Sequence, residues 1–241
     1  MGFRCDFHIH SCLSPCGSLD MSPAAVARAA KAAGLDAAAL ADHHCARNAP
    51  AFAAACRREG LRALHGVEAC SAEGIHVLAL FDTPEAVGAF GDLLFDHLPD
   101  VPNDPLRHGD QAVVDEHDNV LELVPRHLGG ATDLPFARLP GLVADHGGLF
   151  IPAHVDRPAG GLLARTGVVP PEAGPVLEAT PRGWTGVEAV CGKTHVLVAF
   201  SDAHRPADIG RAATRIDADE FTLSALRDAL LARRLAPLLP A

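Results

Sequence analysis

Histidines and carboxylates fall in small groups along this chain, and nearly every group borders an apolar run. Asp6, His8 and His10 close the run that starts at Gly2; Asp42, His43 and His44 follow Asp36 to Ala41; Glu68 ends Leu61 to Glu68. His76 stands near the start of Ile75 to Phe81, His154 follows Gly148 to Ala153, and Asp202 and His204 follow His195 to Ser201. The His8-x-His10 spacing puts two imidazoles on one face of an extended chain. Two imidazoles with carboxylates suit zinc, manganese or iron(II), and the lack of a close thiolate cluster argues against a structural zinc knot. An HxH pair alone is weak evidence. Five strand ends carrying ligand-type residues are hard to explain structurally, because such side chains are rarely buried without partners. Divalent metals gathered by such a set would activate a water for hydrolysis.

The runs themselves predict how these residues are positioned. Ser22-Pro23 opens a helix that Gly34 closes, Ala49 to Glu59 is helical up to Gly60, and Pro84 to Leu98 is helical. Further helices are expected near Phe136 to His146 and at Leu223 to Arg234, the latter beside a Thr222/Ser224 cap. With Val176 to Ala179, seven core strands are expected, mostly continuous apolar runs, which points to a parallel sheet buried on both faces. Strand–helix alternation at this length gives an α/β class and a closed or nearly closed barrel, with reactive residues at the carboxyl ends of its strands. Residues 99–135 break the rhythm: a proline-rich stretch leads into two strand-like runs around Asp118-Asn119, read as a hairpin-containing insertion over one end of the barrel. The chain is expected to be one domain over 1–241.

Composition narrows the function further. The 241 residues are 49% hydrophobic with a formal net charge of −10, enough for a large core and without the footprint of a nucleic-acid-binding chain. No stable nucleic-acid complex is expected, although a nucleotide is compatible because bound metals reverse the local sign. Seven scattered cysteines without a CxxC pair, no apolar signal region and no apolar run of bilayer length predict reduced thiols in a cytoplasmic protein with no membrane association. Oligomeric state is not readable.

The stretches Asp6-Phe7-His8-Ile9-His10-Ser11, Ala41-Asp42-His43, Gly66-Val67-Glu68, Ala153-His154 and Ser201-Asp202-Ala203-His204 resemble, in order and spacing, the PHP (polymerase and histidinol phosphatase) metal-dependent phosphoesterases. The resemblance implies a distorted seven-stranded (β/α) TIM-like barrel with two or three divalent ions (Zn, Mn or Fe) that hydrolyses a phosphate ester of a small molecule or nucleotide. It implies one metal on His8, His10, Glu68 and Asp202, a second on Glu68, His76 and His154, and a third on His43 and His204. The family usually adds a His or Asp from the loop after the HxH motif; here Cys16 stands near that position and Asp20 is the nearest carboxylate. Arg157 resembles the arginine that holds the phosphate, a task suited to a planar guanidinium. Asp42, His43 and His204 are candidates for proton handling, and His44 for substrate contact.

Three rival readings each meet an obstacle in the sequence. A DHH phosphoesterase would need an Asp-x-Asp near the start, where this chain has Asp-x-His-x-His. A metal-dependent amidohydrolase usually depends on a carboxylated lysine, and only Lys31 and Lys193 exist here. A catalytically idle PHP module acting as an accessory domain would not need so complete a ligand set.

Overall fold

The computed structural model describes residues 1–240. Strands β1 (Gly2–Ile9), β2 (Ala37–His43), β3 (Arg62–Cys70) and β4 (His76–Phe81) come first, separated by α1 (Pro23–Ala32) and α2 (Ala49–Glu59). Helix α3 (Pro84–Asp96), a short α4 (Pro105–His108) and the hairpin β5 (Ala112–Val114) and β6 (Val120–Leu123) follow. The remainder is α5 (Leu139–Asp145), β7 (Leu149–Pro152), α6 (Leu162–Thr166), β8 (Val176–Glu178), α7 (Trp184–Cys191), β9 (Val196–Val198), β10 (Ala213–Asp217), α8 (Leu223–Leu231) and β11 (Leu235–Leu238). Local chemistry sets the helix ends. Ser22, Thr83 and Thr222 each accept the backbone N–H three residues on, and Gly60, at φ 63°, ends α2 in the left-handed region.

All seven expected core strands form, but their arrangement departs from a parallel barrel. One curled sheet runs in the order β11-β10-β1-β2-β3-β4-β7, and β8 pairs with β9 separately. Only β1-β2, β2-β3 and β8-β9 are parallel; β4 is antiparallel to both β3 and β7. The reason is the short link from β3 to β4, since a parallel return needs a crossover of a dozen or more residues. Strands β10 and β11, absent from the sequence reading, extend the sheet beyond β1.

The ring nonetheless closes into a distorted α/β barrel. Val155 N–H donates to Glu178 O at 2.8 Å, joining the end of β7 to β8. Ala203 forms a parallel bridge to Ile9, joining the segment after β9 to β1. Inside, Phe3, Cys5 and Phe7 of β1 pack with Leu64, Leu78, Ile151 and Val176 and with Leu226 and Leu230 of α8. Outside, α1 and α2 cover β1 and β2 through Val26, Ala27, Ala30, Phe52 and Cys56.

The expected hairpin forms as β5-β6, with Asp118 at φ 66° in the connecting turn. It packs on the loop that leaves β1: Ala112 N–H donates to Cys12 O at 3.0 Å, and Asn48 Nδ2 donates to Ala112 O at 3.1 Å. Gln111 organises this stretch. Its fully buried side chain donates to Val124 O and Arg126 O and accepts from Leu128 N–H, all at 2.8–2.9 Å. Gln111→Ala is expected to cost on the order of 3 kcal/mol by stranding these groups, read by chemical denaturation, with amide exchange over 112–128 rising more than in β1–β3.

Candidate metal centre

Strict alternation along β1 would put Asp6, His8 and His10 on one face and Phe3, Cys5 and Phe7 on the other. The register against β2 breaks between Asp6, paired with Ala38, and Ile9, paired with Leu40. One extra β1 residue is accommodated there, so Phe7 keeps its place in the inner core while His8 also turns inward. The bulge parts Asp6 from the two histidines. Asp6 instead accepts Ser201 N–H at 3.0 Å and Gly210 N–H at 2.9 Å, fastening β1 to the segment that carries Asp202. Burial raises its carboxyl to about 6.

The reversal of β4 brings in His76. Because β4 runs against β3, its first residue lies opposite Cys70, at the end of the barrel where β3 presents Glu68. There, buried Glu68 meets five imidazoles. His76 Nδ1 lies 2.8 Å and His154 Nε2 2.9 Å from Oε1; His43 Nδ1, His10 Nε2 and His8 Nε2 lie 3.1, 3.3 and 3.6 Å from Oε2. Asp202 closes the other side, 3.1 Å from His10 Nε2 and 3.5 Å from His8 Nε2. Burial opposes ionisation of Glu68, yet His43 and His8 hold it well below the usual carboxylate range. Asp202 is likewise held well down, against burial, by His8 and His10.

The polar shell aims the rings. His8 Nδ1 donates to Glu178, 2.9 Å from Oε2, which leaves Nε2 directed at the cluster. His10 Nδ1 lies 3.0 Å from Ser14 Oγ, which donates to Asp42 at 2.6 Å, freeing His10 Nε2 in the same way. Buried His8 Nε2 and His154 Nδ1 have no hydrogen-bond partner. Buried nitrogens without partners beside carboxylates form a donor set that fits cations. Four triads have ligand atoms within 4.8 Å of one another: His8/Glu68/His154, His8/His10/Asp202, His10/His43/Glu68 and His10/Cys16/His204.

Several candidates take other places. The Asp42 carboxylate accepts Ser11 N–H, Ser11 Oγ–H and Ser14 Oγ–H, each at 2.6 Å, so it ties down the loop and orients His10 instead of facing a substrate. His44 is spent as well: Nδ1 donates to Leu128 O and Nε2 accepts Cys70 N–H, both at 2.8 Å, and burial lowers it to about 4. Its ring has no free nitrogen for a substrate. Burial, with His10 beside it, lowers His204 to about 4, and burial lowers His43 well below its usual value. These downward shifts suit both rings to ligation more than to acid catalysis. Cys16 joins His10 and His204, whereas Asp20 lies in no such triad. The other six cysteines are buried. Arg157 contacts Asp202 Oδ2 and faces a cleft beside the cluster.

Glu178 was missed by the sequence reading, although Val176-Leu177-Glu178 carries the same signal as Gly66-Val67-Glu68: a carboxylate ending an apolar run.

A PHP domain model matches residues 6–135, more than half of the chain, and a PHP-associated model matches residues 197–235. The chain belongs to the PHP family. No curated protein matches it. Among solved structures, the lesion-specific endonuclease PfuEndoQ from Pyrococcus furiosus is similar at TM-score 0.65 and 18% identity, over 96% of this chain and 56% of that one. A two-domain protein from Bacteroides vulgatus, described as containing a predicted PHP-like metal-dependent phosphoesterase, gives 0.58 and 18% over 100% and 65%. An amidohydrolase from Chromobacterium violaceum with bound sulfate and no metal gives 0.58 and 20% over 98% of each chain. The chain thus spans under two thirds of the length of the first two, and the likenesses establish the PHP fold. Family membership and the donor cluster together support a metal-dependent hydrolase. Among the described residues, no helix is long and apolar enough to cross a membrane.

Glu178→Gln is expected to weaken divalent-metal binding roughly ten- to a hundredfold, as removal of an outer carboxylate–imidazole partner does, read by chelator competition. Cys16→Ser is expected to lower zinc affinity more than manganese affinity, since thiolates favour softer ions. Equal affinities in variant and parent would leave Cys16 outside the centre.

Proposed function

We propose that this protein hydrolyses a phosphate ester of a small molecule or nucleotide, using two or three divalent ions of the Zn, Mn or Fe type. The observation that carries the reading is Arg157, whose guanidinium reaches the rim of the donor cluster at Asp202 and lines the adjoining cleft. A cationic fork at the edge of a metal centre suits a tetrahedral oxyanion, and the Chromobacterium violaceum neighbour carries sulfate.

In this reading His8, His10, Glu68 and Asp202 would hold one ion, Glu68, His76 and His154 a second, and His43, His204 and Cys16 a third. When bound, such ions supply Lewis-acid polarisation and a water acidic enough to attack phosphorus near neutral pH. The chain's own residues do the rest. Arg157 fixes the phosphoryl oxygens. Glu178 and the Ser14–Asp42 pair keep the Nε2 lone pairs of His8 and His10 pointed inward. The β5-β6 insertion, resting on the loop after β1, holds the wall that carries Cys16.

Two rivals are disfavoured. A carboxylated lysine has no candidate at the centre: Lys31 Nζ donates to Gly60 O at 3.2 Å, and Lys193 is exposed beyond α7. An idle module is disfavoured because outer carboxylates still aim the rings.

The test is hydrolysis of an aryl phosphate against an aryl amide, with Mn²⁺, Zn²⁺ or Fe²⁺ added. Ester turnover that a chelator abolishes is expected; turnover of the amide alone would refute the reading. Arg157→Ala is expected to lower kcat/KM for the ester roughly ten- to a hundredfold, the worth of charge-assisted hydrogen bonds, with metal content unchanged.

A further inference from the structure

Beside the donor cluster lies a cleft of about 700 Å³, within the roughly 300–1,000 Å³ usual for small-molecule sites. Its walls come from the segments after β7, β8 and β9, which supply Arg157, Arg182 and Arg211. A phosphoryl group held by Arg157 at the rim of the donor cluster occupies only one end. The carboxylates in the walls are already engaged. Asp156 accepts Thr180 N–H at 2.8 Å and the Thr180 hydroxyl, Asp202 faces imidazoles and Arg157, and Asp208 pairs with Arg211 at 2.7 Å. Arg182 is exposed and makes no ion pair among the described residues. Unpaired donors therefore remain on Arg182, and on Arg211 beyond the Nη1 that meets Asp208, in a chain whose net charge is −10.

We infer that this cleft seats the leaving-group end of the substrate, and that this end carries a second anionic group held by Arg182 and Arg211. The inference rests on the phosphoester reading and narrows it to small, doubly anionic esters. A planar fork recognises phosphate or carboxylate by paired hydrogen bonds. The net charge of −10 gives no global electrostatic footprint for a long nucleic-acid strand, which favours a small ligand.

Binding tests this apart from turnover. The full chain, with Mn²⁺ added, is titrated calorimetrically with propylphosphonate and with propylene bisphosphonate, neither of which it can hydrolyse. The single tryptophan, Trp184, adjoins the cleft residue Gly183 and provides a second signal by fluorescence. The bisphosphonate is expected to bind roughly tenfold or more tighter. Arg182→Ala and Arg211→Ala should each remove most of that advantage and leave propylphosphonate affinity unchanged. Equal affinity for the two ligands, or equal loss of both in the variants, overturns the assignment. Tighter binding of a thymidine oligonucleotide than of the bisphosphonate overturns the small-ligand class. Turnover of carboxyphenyl phosphate, an aryl ester that carries a second anionic group, is scored in parallel: its absence, with the affinity pattern intact, refutes the phosphoesterase reading while the anion site stands.

Discussion

The structure turns on one buried carboxylate. Glu68 is 1% exposed and lies within 3.6 Å of ring nitrogens from five histidines. An isolated ionised carboxylate at such depth would be strongly disfavoured, and so would that many imidazoles packed ring to ring without a compensating charge. The barrel supports the group because its members arrive from the ends of β1, β2, β3, β4 and β7, with His8 and His10 sharing β1. Removing any strand from the ring would leave part of this charge uncompensated.

The arrangement also shows why carboxylates of similar burial do different things. Asp6, Asp42 and Glu178 accept hydrogen bonds from backbone, hydroxyl or imidazole donors and thereby hold segments in place. Glu68 and Asp202 face mainly ring nitrogens and the Arg157 guanidinium. The division is one of donor type: where neutral N–H and O–H groups satisfy the oxygens, the carboxylate serves as scaffold, and where imidazoles converge it can share an ion.

Much of this was legible in the sequence. The seven core strands show as apolar runs because both faces of each are buried, and the donor residues show because they break those runs at their ends. The direction of β4 was open to inference from the few residues between Glu68 and Ile75, which leave no room for a crossover, but continuous apolarity alone suggested a parallel sheet. Strands β10 and β11 escaped notice because Arg215 faces solvent and Pro237 interrupts the last run, so neither reads as core. Asp42 and His44 adjoin His43 in sequence, yet alternation along β2 and the positive φ of 54° at His44 send the three side chains to different partners. Such outcomes depend on tertiary donors, such as Ser14 and Leu128, that no local pattern announces.

The link between β3 and β4 shapes how this chain can vary over evolutionary time. It is pinned by Ser71 N–H to Ile75 O at 2.9 Å and Gly74 N–H to Ser71 O at 2.8 Å, with Gly74 at φ 76°. Gain or loss of a single residue here would slip β4 by one position and carry His76 to the opposite face of the sheet. Keeping His76 beside Glu68 therefore means keeping the length of this turn.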